Sequence, residues 1–308
     1  MTRSDIEPVG APERSGPDGL VGVPGHPPEV VRLRLLVTYD GAGFCGWARQ
    51  PGLRSVQGEL ETAVRVALRI PGDIPVRVAV AGRTDAGVHA TGQVCHADVP
   101  AQAWRAADDP RAGWVRLRCN GLLERDVRVR ALDVAPAGFH ARWSAVWRRY
   151  RYLVADDPAS QDPRTRGHVL WHPRPLDEAA MSAAAEPFLG EHDFAAFCRA
   201  RPGASSVRTV HEISWRRTGP GHAASPVEFE VRADAFCHSM VRSLVGVFLA
   251  VGDGRWPVAR PAELLRAAAR LPLIEAAPAH PLTLVEVGYP PDADLGAQAL
   301  RARRWRGR

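Results

Sequence analysis

Strict alternation marks the first predicted element: Val31, Leu33, Leu35, Val37 and Tyr39 fall on one face, the period of a half-buried strand. A glycine-rich loop follows from Asp40 to Gly46. Ser55 is placed to cap a helix, and Val56, Leu60, Ala63, Val64, Ala67 and Leu68 recur at helical spacing until Pro71-Gly72 breaks the pattern. Strand periodicity returns at Val76, Val78 and Val80, again at Cys95, Ala97 and Val99, and again at Val127 and Val129. From Trp147 to Val154 the chain reads as a strand with Arg149 and Arg151 on one face and Tyr150 and Tyr152 on the other. The rest predicts a helix over 176–189, strands over 207–215 and 227–233, an apolar helix over 238–251, a short helix over 262–271 and a closing strand over 282–287. Two successive blocks of strands and helices in mixed order imply an α+β protein with two sheet-bearing halves. Their expected bounds are 30–135 and 136–290.

The flanks read differently. Residues 1–29 carry Pro8, Pro12, Pro17, Pro24, Pro27 and Pro28 among glycines and charges, with few large apolar groups to offset the entropy of ordering, and are expected to be disordered. Residues 291–308 end in Arg301, Arg303, Arg304, Arg306 and Arg308 and read as a solvated basic tail. With 308 residues and 45% hydrophobic side chains, the chain can bury a sizeable core. Its longest apolar run, near Val241–Val251, is interrupted by Arg242, Ser243 and Gly246 and is shorter than the about 20 residues a membrane span requires. The amino-terminal segment lacks the charged start and apolar core of a secretory signal, so a cytoplasmic protein is expected. Cys45, Cys95, Cys119, Cys198 and Cys237 are scattered and form no C-x-x-C pair, which predicts free thiols. A formal charge of +6 suggests a polyanionic partner. The absence of lysine beside abundant Ala, Gly, Pro and Arg is also what a GC-rich coding sequence produces, so position matters more than the total.

Chemistry concentrates in Ala81–Val94, AGRTDAGVHATGQV, a glycine-rich loop between two predicted strands that holds one carboxylate, one guanidinium and one imidazole close together. Thr84-Asp85-Ala86-Gly87 alone is ordinary turn chemistry. Asp85, His89 and His96 could be taken for metal ligands, but no H-E-x-x-H or comparable pattern surrounds them. Gly82, Gly87 and Gly92 match neither a dinucleotide fingerprint nor a P-loop.

As a whole this loop resembles the signature of the TruA family of tRNA pseudouridine synthases. Further matching segments follow in the family's order: YDGAGFCGWARQ with SVQ (Tyr39–Gln57), FHARWSAVWRRYRYLV (Phe139–Val154), GEHDFAAF (Gly190–Phe197) and FCHSMVRSLVGVFLAVGDG (Phe236–Gly254). The resemblance spans about Val31 to Tyr289. It implies two related halves, each a mainly antiparallel sheet with flanking helices, around a central basic cleft. It also implies an enzyme that converts uridines of the tRNA anticodon stem-loop to pseudouridine, working as a homodimer without cofactor or metal.

Asp85 then occupies the family's catalytic aspartate, which attacks either C6 of the uracil or C1′ of the ribose, a role a carboxylate fills as nucleophile and leaving group. Arg242 matches the arginine that pairs with it, which would keep the carboxylate ionised in a closed site. Tyr150 matches the tyrosine that stacks on the uracil and relays a proton from C5. Arg83 matches an arginine that either enters the RNA helix as the base leaves or contacts phosphate, and His89 is expected among the substrate contacts. Two features depart from the family: Glu124 stands where proline is usual, and the loop after Phe197 is short. A non-catalytic RNA-binding protein on the same scaffold is the rival, and a metal-assisted hydrolase built on Asp85, His89 and His96 a third reading.

Overall fold

The computed structural model describes residues 29–305, apart from 110, 200–202, 219–224 and 268. The expectation of disorder for the amino-terminal segment falls on residues 1–28, outside those described, as do Arg306 and Arg308.

The described chain builds one ten-stranded sheet. Its strands are β1 (Val30–Tyr39), β2 (Arg77–Val80), β3 (His89–Pro100), β4 (Val127–Val134), β5 (Trp147–Ala155), β6 (Leu170–Trp171), β7 (Gly190–Asp193), β8 (Val207–Arg217), β9 (Val227–Ala233) and β10 (Leu282–Gly288). They run in the order β4-β1-β3-β10-β5-β9-β8-β7, with β2 beside β3 and β6 beside β5. Pairing is antiparallel except for β10 with β3 and β6 with β5. The alternation read from β1 is realised: Leu33, Leu35 and Val37 are fully buried and Tyr39 nearly so, each worth about 1.5–3 kcal/mol in removed apolar surface for the aliphatic side chains.

The short parallel seam between β3 and β10 positions the site. It sets Ala90 opposite Leu284, and Leu284 in turn stands opposite Tyr150 on β5. Thus β10, which comes late in the chain, brings the strand that follows the glycine loop within two strand positions of Tyr150. Without this seam the β4-β1-β3 group and the β5-β9-β8-β7 group would have no common row of side chains.

Helix α1 (Val56–Ala67) begins as the sequence predicts, with Ser55 Oγ accepting from Gly58 N at 3.3 Å. Two short helices follow: α2 (Ala101–Ala106) and α3 (Gly113–Leu122), and then α4 (Glu178–Ala185), which ends earlier than expected in a 3-10 turn over Glu186–Phe188. Helix α5 (Met240–Gly252) is buried nearly all round, leaving only Arg242 and Gly246 partly open. Such a helix belongs to the core and not to the surface. The last two are α6 (Arg260–Leu265) and α7 (Leu295–Trp305). No helix among the described residues is long and apolar enough to cross a membrane.

Two expectations are corrected. The tail read as a solvated arm is helical from Leu295 to Trp305 and docks through Leu295 and Ala299, one turn apart and both buried. Arg301 and Arg303 are exposed, and they hide this two-residue stripe from a composition-based reading. Cys198 and Cys237, expected as free thiols, are joined in a disulfide with Cα atoms 5.7 Å apart, a separation such a bridge accepts. The two lie in loops far apart in sequence, so spacing carried no sign of the pairing. Cys45, Cys95 and Cys119 are free.

Candidate active site

The loop from Ala81 to Val88 is held from several sides before any reactive group is considered. Trp47 N donates to Thr84 O at 3.1 Å, and the Tyr39 and Thr84 hydroxyls are hydrogen-bonded at 2.8 Å. Gln93, fully buried, donates from Nε2 to Gly82 O at 2.8 Å. Gly46 adopts φ +100°, and a Cβ there would lie 3.0 Å from Thr84 O and 3.2 Å from Ala86 N. Only glycine combines that dihedral with so close an approach. The Tyr39–Trp47 segment is therefore a clamp on the loop, which explains its Y-D-G and G-W pattern without assigning it chemistry of its own.

Arg148 adds a second tie. Its buried guanidinium donates to Ala81 O at 2.9 Å and Arg142 O at 3.0 Å through Nη2, and to Asp234 O at 2.7 Å through Nη1. It thereby fixes the base of the glycine loop to the turn that follows β9. That turn carries three side chains toward the site. The Phe236 ring meets Tyr150 edge to face at 5.0 Å, Cys237 is bridged to Cys198, and His238 Nε2 lies 3.6 Å from Asp85 Oδ1. Ser239 follows at φ +63°, an uncommon left-handed conformation for a non-glycine residue, and α5 starts immediately after it.

Asp85 is half-buried, and its carboxylate accepts no hydrogen bond from the described residues. Tyr150 is 8% exposed, and burial, reinforced by the nearby Tyr39 and Asp85, pushes its phenol above the ordinary tyrosine range. Arg83 is exposed and has no hydrogen-bond or ion-pair partner among the described residues. The structure thus brings Asp85, Tyr150 and His238 together and leaves Arg83 free on the rim.

Arg242 does not form the expected ion pair with Asp85 in this structure. Its Nε donates to Ala277 O at 2.6 Å, while the side chain beside the Asp85 carboxylate is the His238 imidazole. The physical reason is the backbone clasp between the same residues: Ala277 N donates back to Arg242 O at 2.9 Å, which holds the arginine stem against the 275–279 segment. Arg242 lies near Arg270, whose pKa falls through burial and through the charges of Arg199 and Arg242. Three guanidinium groups thus crowd one region.

His89 has a structural position. It is 3% exposed; Nδ1 accepts from Gly41 N at 2.9 Å, and Nε2 faces His280 O at 2.6 Å and Gly167 O at 3.0 Å. Both ring nitrogens are engaged inside the protein, so His89 is not presented to RNA. Asp40, His89 and His168 bring potential ligand atoms within 4.8 Å of one another. The Nδ1 lone pair of His89 is already used by the Gly41 amide, and its other ring nitrogen faces two backbone carbonyls, so within this cluster His89 is committed to the fold. His96, 4% exposed, accepts from Ala141 N through Nδ1 at 3.1 Å and has no part in that cluster. Arg148 and His238 were missed by sequence reasoning. A histidine at a helix start and one arginine in a run of arginines carry no local signal of what they meet.

Comparison with known proteins identifies relatives along nearly the whole chain. A family model described as tRNA pseudouridine synthase matches residues 184–290. The tRNA pseudouridine synthase A of Streptomyces griseus is 50% identical over 279 residues, covering 91% of this chain and 95% of that protein. The protein of the same name from Frankia casuarinae is 52% identical over 270 residues, covering 88% and 93%. That of Mycobacterium leprae is 44% identical over 288 residues, covering 90% and 97%. Identity of this extent over nearly whole chains, together with a half-buried aspartate presented on the glycine loop, places the chain in the tRNA pseudouridine synthase A family.

Proposed function

We propose that this enzyme isomerises uridines of the tRNA anticodon stem-loop to pseudouridine, with Asp85 as the covalent nucleophile. The observation that supports this most directly is the Asp85 carboxylate itself: clamped in place through its backbone, partly open to solvent, free of hydrogen-bond donors and adjacent to Tyr150. A carboxylate kept for structure would be neutralised by donors or an arginine. In this reading Tyr150 stacks on the target uracil, and Arg83, unpartnered on the rim, enters the RNA helix as the base leaves it. Arg242, with Arg199 and Arg270, supplies positive charge for the phosphates. Isomerisation moves atoms within one nucleotide and consumes no redox or phosphoryl equivalent, so no cofactor or metal is required.

The division into halves at 30–135 and 136–290 is supported by the meeting of the two strand groups at β3 and β10; the basic cleft between them is carried over from the family. The homodimer and the cytoplasmic setting are carried over from the family. Purified protein incubated with an unmodified tRNA transcript should produce pseudouridine in the anticodon stem-loop and none in a transcript whose uridines there are replaced by cytidine. Product at other sites would overturn the specificity, and tRNA binding without product would favour the non-catalytic rival.

A further inference from the structure

We propose that Arg148 is a positioning residue for the closing proton transfer: its fixed charge, buried on the same face of β5 as Tyr150, steadies the phenolate through which Tyr150 takes the proton from C5. The inference rests on Asp85 as the group that opens the reaction and on Tyr150 as the proton relay. Once the base has detached and rejoined through C5, the carbon at the new bond still bears a hydrogen. That C–H bond breaks, its electron pair restores the C5–C6 double bond, and the proton passes to the Tyr150 oxygen. A phenol takes up a proton only after giving up its own, and N1, freed from the ribose, gains one. Tyr150 thus ends as it began, and the change is an isomerisation with no external acid, base or oxidant.

A phenolate formed in so closed a place costs free energy unless a positive charge faces it. Tyr150 is buried, with the Phe236 ring against it, and the negative charge of Asp85 lies nearby. Arg148 precedes it by two residues on β5, and since side chains alternate along a strand the two stand on one face, about 7 Å apart at their backbone. A guanidinium keeps its charge at any pH the enzyme meets. Burial above all, then Tyr39 and Asp85, push the Tyr150 phenol up, while Arg148 acts in the opposite direction. The other guanidinium groups of the site are placed for other tasks: Arg83 is exposed on the rim, and Arg242 is clasped to Ala277 O.

The placement of this charge is enforced. Its donors reach backbone carbonyls from three segments: Asp234 O at 2.7 Å, Ala81 O at 2.9 Å and Arg142 O at 3.0 Å. Carbonyl dipoles orient a guanidinium and leave its net charge in place. A charge held still before the reaction begins, beside the oxygen where negative charge develops, costs no reorganisation when the proton moves.

The test uses the full-length enzyme in single turnovers of tRNA transcripts carrying ordinary or C5-deuterated uridine. Arg148→Gln keeps a hydrogen-bond donor and loses the charge, whereas Arg148→Lys keeps the charge and loses the fork of donors. Arg148→Gln should form pseudouridine about 10²-fold more slowly with tRNA affinity kept, the scale of one lost preorganised electrostatic contact. C5 deuteration should slow this variant further, because proton removal has become limiting, and Arg148→Lys should recover most of the rate. In a Tyr150→Phe background Arg148→Gln should cost nothing more, since the charge acts through the phenol. Should Arg148→Gln not fold, Arg148→Lys is read in the same cycle, and its smaller loss should likewise vanish beside Tyr150→Phe. Wild-type turnover by Arg148→Gln, a loss without any C5 isotope effect, or a loss of equal size in the Tyr150→Phe background would overturn the proposal. Wild-type turnover by Tyr150→Phe would instead overturn the relay, and opening of the glycosidic bond by Asp85→Asn the nucleophile.

Discussion

At the scale of single residues, exposure and partnership separate the chemical groups from the structural ones. Arg83 has no partner among the described residues, so Arg83→Ala should reduce pseudouridine formation more than tRNA affinity; filter binding beside single-turnover rates measures both, and a loss of affinity alone would contradict the base-flipping role. His96 shows the opposite behaviour. Burial, with Arg32 and His140 nearby, lowers its pKa from 6.5 to about 3. The unfolded chain therefore binds a proton between those values that the folded chain does not. Stability from this group is fully present above pH 6.5 and is lost as pH falls toward about 3, at up to about 1.4 kcal/mol per pH unit. Melting temperature should decline across that window, and His96→Gln, which can still accept from Ala141 N, should flatten this part of the profile. Asp85 was legible in the sequence because its whole loop is a recognisable segment. His238 and Arg148 were not, because their roles depend on partners such as Asp85 and Ala81 that only the folded sheet brings near.

At the scale of elements, the strongly periodic ones were readable and the weakly periodic ones were not. The strand β1, the helix α1 with its Ser55 cap, the two-faced strand β5 and the apolar helix α5 follow the patterns read from the sequence. Helix α3 escaped because Trp114, Leu117 and Leu122 are exposed while only Val115 and Cys119 are buried, which scrambles its apolar stripe. Strand β7, Gly-Glu-His-Asp at the sheet edge, has no apolar alternation at all. The helix α7 is anchored by Leu295, whose carbonyl accepts from Ser144 Oγ at 3.0 Å, and by contact of Gly296 with Gly138. Leu295→Ala should cost about 2–5 kcal/mol in denaturant unfolding, the range for a fully buried leucine. An unchanged midpoint would show that the helix does not contribute to the folded core. The clamp on the catalytic loop gives a sharper case: Gly46→Ala places a Cβ against Thr84 O and Ala86 N at a positive φ. The cost should be on the order of 1–3 kcal/mol. Activity should fall with it, because any relief of the contact moves the Thr84–Ala86 backbone that carries Asp85.

At the scale of the whole molecule, one continuous sheet joins two strand groups at the β3–β10 seam, and the reactive residues gather around it. Asp85 comes from the loop before β3, Tyr150 from β5 and His238 from the turn before α5, so elements separated by up to half the chain meet at one place. An α+β fold was readable from the order of strands and helices; the seam was not, since a two-residue parallel register between distant strands leaves no trace in local periodicity. In the proposed reaction the aspartate presented there performs the first chemical step, a role to be checked by measuring pseudouridine formation in unmodified tRNA by wild-type enzyme and Asp85→Asn, with tRNA binding recorded for both. Product from the wild type alone, with equal binding, is the expected result; product from Asp85→Asn at a comparable rate would contradict the account.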